Sequence, residues 1–152
     1  MRRAFSVFSL FVFGLVIFNL AALAGSPAWA ERTPAPAGAR VYIISPADGA
    51  TVTNPVTVLF GLDGMGVAPA GVDTPATGHH HLLIDVGLPQ GDDLNYSVPA
   101  DENHLHFGGG QTQTTLELAP GPHTLQLLLG DENHVPHDPP VASDKITIMV
   151  TE

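Results

Sequence analysis

From residue 40 onward the chain reads as short runs in which apolar and polar positions alternate, and the runs are broken repeatedly by glycine and proline. Arg40 to Ile44 opens the pattern and stops at the turn signal Pro46-Ala47-Asp48-Gly49. Val56 to Leu62 follows. His80 to Val86 then places Leu82, Ile84 and Val86 on one face, with Leu83 and Asp85 on the other. Thr112 to Leu118 alternates Thr114, Leu116 and Leu118 against Gln113, Thr115 and Glu117. The turn Pro120-Gly121 leads into His123 to Leu129, with Leu125, Leu127 and Leu129 sharing a face, and Lys145 to Val150 closes the series with Ile146, Ile148 and Val150. A period of two predicts half-buried strands, and no stretch of ten or more residues after residue 30 carries the helical period. Six to eight short strands punctuated in this way predict an all-β, single immunoglobulin-like or Greek-key β-sandwich over residues 40–152. Two connections, Gly61 to Gly78 and Asp131 to Asp144, are longer than simple turns and are where function is expected on such a scaffold.

The N-terminus breaks this pattern. Ala4 to Ala24 is almost continuously apolar behind Arg2 and Arg3, and it is followed by Gly25-Ser26-Pro27 and Ala28-Trp29-Ala30. A basic start, an apolar run, a breaker and a small-x-small site predict a signal peptide over residues 1–30, cleaved after Ala30. A retained anchor is the competing reading, because about 20 apolar residues can span a bilayer. No cysteine follows the run, which excludes a lipid-anchored form. The expected location is periplasmic or secreted, with no membrane association after cleavage. Residues 31–39, rich in Pro and Ala, are expected to be a disordered leader.

Removing residues 1–30 sharpens the composition. Five of seven Phe and the single Trp leave, and Arg32, Arg40 and Lys145 remain against 15 acidic residues, a net charge of −12 with neutral histidine. Such a surface has no electrostatic affinity for nucleic acid or an anionic membrane, and it attracts cations. With no cysteine, the fold has no disulfide and must rest on a packed core; thiolate metal sites, blue copper included, and thiol redox chemistry are excluded.

All eight histidines fall between positions 79 and 137. They form His79-His80-His81, His104-Leu105-His106, a single His123, and His134-Val135-Pro136-His137. The sequences DENHLH (101–106) and DENHVPH (131–137) share a tetrapeptide, which suggests one local design used twice, acidic groups beside an imidazole. In immunoglobulin-like topology the His80 strand and the His123 strand are antiparallel neighbours. The start of the first therefore meets the end of the second, and the start of the Thr112 strand lies at the same end. Seven histidines (His79, His80, His81, His104, His106, His134 and His137) are thus expected at one pole, with His123 at the other, hydrogen-bonded near the turn before it. Strand parity turns His80 inward with Leu82 and puts His79 and His81 on the opposite face; His104 and His106 lie opposite Leu105 and Phe107.

Imidazole is a common neutral metal ligand, and His/carboxylate sites suit Zn²⁺, Cu²⁺ or Ni²⁺. The expected cofactor is a copper or zinc ion, and the expected function is capture, buffering or delivery of that ion. A copper or zinc oxidoreductase on the same residues is one alternative, although no Arg or Lys stands near the clusters to steer an anionic substrate. A non-metal interaction module with pH-sensing histidines is another. Solvated histidines and a rigid Pro136–Pro140 loop are the ordinary readings of the same strings. Ser45, Ser97 and Ser143 offer no nucleophile elbow, which leaves hydrolase chemistry little support.

The strings GHHHLLIDV, HLHFGGGQTQTTLELAPGPHTLQLLLGD and HVPHDPPVASDKITIMV resemble the bacterial exported proteins grouped as domain of unknown function 4399, from about Gly61 to Val150. The resemblance implies a single periplasmic domain and brings no activity with it.

Overall fold

A computed structural model describes residues 32–152; the expected signal peptide, residues 1–30, lies outside the described residues. Two sheets pack face to face. One has three strands in the order β1 (Arg40–Ser45), β3 (Val56–Asp63) and β7 (Gln113–Leu116). The other runs β2 (Thr51–Thr53), β9 (Ile146–Thr151), β8 (Gly121–Gly130), β5 (Thr77–Ile84), and along the free edge of β5 lie the short strands β4 (Gly66–Val67) and β6 (His104–His106). The protein is therefore an all-β sandwich, with nine strands among the described residues, three of them (β2, β4 and β6) too short to leave a periodic signal in the sequence.

The alternation that predicted the strands also builds the core. Val41, Val58 and Phe60 of the smaller sheet face Leu82, Leu125, Leu127, Leu129, Ile148 and Val150 of the larger, each no more than 4 % exposed. β5 pairs antiparallel with β8 from His79↔Gly130 to Ile84↔Leu125, as expected of the immunoglobulin-like neighbours. The strand differs from its expected span. It begins at Thr77, two residues before the triplet, where it pairs with β4; His79 opens the pairing with β8, and the strand ends at Ile84 because Asp85 takes a positive φ of 60°.

The outer face of the larger sheet is covered too. Leu83 and Leu128 point away from the main core and are buried under Val98, with Leu88 and Val86 packed alongside. The segment from Gly87 to Pro99, which crosses this face, therefore adds a third layer over part of the sheet. A further difference concerns residues 31–39. Expected to be disordered, the described part from Arg32 is docked: Ala35 N–H donates to the Asp138 carbonyl (2.8 Å) and Asp138 N–H to that of Thr33 (2.9 Å). Pro34 and Asp138 form a parallel bridge.

His123 lies apart from the other histidines, as expected, and is fixed by two acceptors. Its Nδ1 meets Asp85 Oδ2 at 2.7 Å and its Nε2 meets the Ala119 carbonyl at 2.9 Å. Two oxygen acceptors favour a ring protonated on both nitrogens. Burial works against that charge, but the Asp85 and Ala119 acceptors outweigh it and raise the His123 pKa. Burial likewise opposes the Asp85 carboxylate, and the Thr124 N–H and His123 more than compensate, lowering its pKa. The contribution of His123 is complete below its unfolded value of about 6.5 and is lost as pH rises through the folded one. That of Asp85 is present above about 3.9 and is lost as pH falls through its lowered value. Asp85→Asn is expected to shift the His123 midpoint downward, as read from its imidazole nitrogen shifts, and to remove this pair's stabilisation between about pH 4 and 6.5.

Candidate metal centre

Three of the predicted histidines meet because of ladder register. On β5, His79 and His81 are two residues apart and point to the outer face, while His106 of β6 stands directly opposite His81. One ring nitrogen from each of His79, His81 and His106 lies within 4.8 Å of the other two. His134 arrives from the loop after β8 and completes a cluster of imidazoles. Its ring centroid is 4.9 Å from that of His79, 4.6 Å from His106 and 6.0 Å from His81. The remaining pairs lie at 4.8–5.2 Å.

The neighbouring backbone is shaped to admit these rings. Gly130 stands on β8 beside the His79–His81 face, and a Cβ there would lie 2.7 Å from His81 Cε1. A Cβ on Gly108 would overlap the His106 ring. Both positions have room for a hydrogen and not for a methyl, so any larger residue displaces a ring. Three connections close around the cluster. Ala70 N–H donates to the Gly108 carbonyl, Gly71 N–H to that of Glu132, and Val98 N–H to that of His134, each at 2.9 Å.

The loop that carries His134 is held by its acidic residue. Asp131 Oδ1 accepts from the N–H groups of Asn133 and Val135 (both 2.9 Å), and His134 N–H donates to the Asp131 carbonyl at 3.0 Å. His134 sits at φ 69°, a left-handed conformation that costs a non-glycine residue about 1 kcal/mol and persists only where its surroundings fix it. The other copy of the shared tetrapeptide makes the same kind of turn: Asp101 Oδ1 accepts from Asn103 and His104 N–H, each at 2.9 Å, and also meets His104 Nδ1 at 2.9 Å. The repeat therefore encodes a turn in which the aspartate is a backbone cap. Only in the first copy does its carboxylate touch an imidazole.

The other predicted ligands are placed elsewhere. His104 lies on the same face of β6 as His106 but opposite Leu83, two pairs further along, and is held by Asp101. His80 points inward, as parity required, with its ring 5.2 Å from Phe60. His137 is buried on the inner side against Gly78, with Nε2 3.2 Å from the Thr77 carbonyl. The seven histidines expected at one pole are thus divided by the sheet: four gather on its outer face towards one end of β5, one is displaced along β6, and two lie inside. Sequence reasoning did not find Gly108, Gly130 or the docked Arg32–Ala35 segment; the Gly-rich string after His106 was the one signal available.

The buried rings of the cluster lack hydrogen-bond partners, as does the ring of His80 on the inner face. His79 and His81 are fully buried, and neither nitrogen of either ring has a hydrogen bond. A neutral imidazole carries one donor and one acceptor, and each buried polar group left unpaired costs roughly 1–3 kcal/mol. Four such groups approach the net stability of a whole domain, about 5–15 kcal/mol. Protonation gives no relief. Burial, then the repulsion of His134 and His106, pushes His79 down to about 4; burial, then His79, His106 and His134, pushes His81 down to about 3. His106 is lowered by burial and by His134. Neutral, desolvated, converging nitrogens are the donor set a divalent ion requires, so the residues present fit a metal. Among the described residues this is the one such group found.

The chain belongs to the family described as Domain of unknown function (DUF4399), whose model matches residues 58–151, a span that includes every histidine. No curated protein and no solved structure matches the chain.

In the metal-free protein the unfolded chain takes up protons first, because His79 and His81 titrate near 6.5 only when unfolded. Their contribution therefore lowers stability as pH falls from about 6.5 towards 4. The thermal midpoint of the metal-free protein is expected to drop between pH 7 and 5, and the drop should shrink in a His79→Gln/His81→Gln variant, measured by circular dichroism.

Proposed function

We propose that the protein binds one divalent ion of borderline softness, Cu²⁺ or Zn²⁺, through His79, His81 and His106, and serves to capture, buffer or deliver it. The observation that carries this reading is the pair of fully buried imidazoles without hydrogen-bond partners, directed at a third imidazole within 4.8 Å. Metal–imidazole bonds replace the missing hydrogen bonds; structural zinc sites gain about 10–16 kcal/mol on binding, enough to offset the burial. An all-nitrogen donor set favours Cu²⁺ and Zn²⁺ over Mg²⁺ or Ca²⁺, which take oxygen. His79 and His81 are buried whereas His106 is exposed, so an ion held there would be reached from one side, which suits exchange with a donor or acceptor. The expected signal peptide supports a role outside the cytoplasm. The pH-sensor alternative is disfavoured because His79 and His81, at about 4 and about 3, lie below the physiological range.

Competition calorimetry of purified, tag-free protein against a chelator tests this. His106→Ala is expected to weaken Zn²⁺ and Cu²⁺ binding about 100-fold or more, the upper end of what loss of a mere supporting group costs. His104→Ala should leave it within about threefold, below the roughly 10-fold at which the loss of a supporting group begins to show. Binding no tighter than that of an unstructured histidine-rich peptide, or equal losses from both variants, would overturn the proposal.

A further inference from the structure

The strap Arg32–Ala35 has no evident role in the main core beyond the packing of Ala35, yet most of its polar groups are spent on the loop 131–138. Thr33 Oγ1 donates to Asp131 Oδ2 at 2.8 Å, the carboxylate oxygen left over after Oδ1 has capped Asn133 and Val135. Arg32 Nε donates to the Pro136 carbonyl at 3.0 Å, its Nη2 donates to the His137 carbonyl, and the guanidinium lies 3.6 Å from Asp138 Oδ1. The two backbone bonds through Ala35 and Asp138 fix the strap in register. Every bond of the strap thus falls on Asp131 or on the residues just beyond His134, on either side of the left-handed residue whose ring faces His79 and His106.

We infer that His134 is a fourth ligand of the same ion and that Arg32 and Thr33 are its positioning residues: the strap holds the loop in the one backbone conformation that brings the ring to the other three. This rests on the metal reading above and adds to it a control of affinity. With the strap docked, the ion meets four imidazoles. With the strap released, the loop can leave its left-handed turn and the site falls back to three. Neither Arg32 nor Thr33 touches the ion.

The backbone of His134 supplies a test that separates a ligand from a structural residue. Glycine accepts φ 69° without strain, so His134→Gly is expected to keep or raise the thermal midpoint of the metal-free protein while weakening Zn²⁺ binding about 10-fold or more. Thr33→Val and Arg32→Ala should each weaken binding about 10-fold in the presence of His134, within the range for groups that orient ligands, and should have no further effect in the His134→Gly background. Zn²⁺ binding with wild-type affinity in His134→Gly would overturn the fourth ligand. Strap variants that bind normally, or that weaken binding equally in both backgrounds, would overturn the positioning role. Absence of Zn²⁺ binding by the wild-type protein would instead overturn the metal reading on which both depend.

Discussion

Two neutral imidazoles, His79 and His81, are placed where water cannot reach them and where no protein group answers their nitrogens. The placement is forced by β5 itself. It is an interior strand of the larger sheet, paired to β8 along one edge and to β4 and β6 along the other. Its outer face, which would be solvated in a two-layer sandwich, is covered by the segment around Leu88 and Val98 and by the loops that follow β4 and β8. A leucine pair would fill that space at no polar cost; histidines there destabilise the metal-free fold. The rest of the site makes sense as an answer to this cost. Gly108 and Gly130 clear room for the rings, Asp131 shapes the loop that brings His134, and the strap holds Asp131.

The arrangement also divides labour between rigid and adjustable parts. His79 and His81 are fixed by the β5–β8 ladder, so their separation is set by strand geometry. His106 belongs to a three-residue edge strand and is exposed, and His134 is held by loop hydrogen bonds alone. An ion would therefore meet two immovable ligands on the inner side and two that can yield on the outer, an asymmetry suited to uptake and release from the solvent side.

Much of this was legible in the sequence. Period-two alternation located the six longer strands, and parity alone turned His80 inward and His79 and His81 outward, because a strand residue has only two faces to choose from. The site as a whole was less legible. Topology and parity without register placed seven histidines at one pole, since they could not tell which residue of β6 stands opposite His81 or that His137 packs inward against Gly78. His104 and His106 look equivalent in sequence; the pairing of His106 with His81, and of His104 with Leu83, separates them. The segment Arg32–Ala39 has the composition of a linker, and its order comes from hydrogen bonds to residues about 100 positions away, which no local pattern records.

X-ray absorption at the metal edge reports whether the unpartnered imidazoles are ligands. Protein loaded with one equivalent of Zn²⁺ is expected to show a first shell of nitrogen at about 2.0–2.1 Å with the outer-shell scattering of three to four imidazole rings. A shell dominated by water or carboxylate oxygen, with one imidazole or none, would contradict their assignment as ligands.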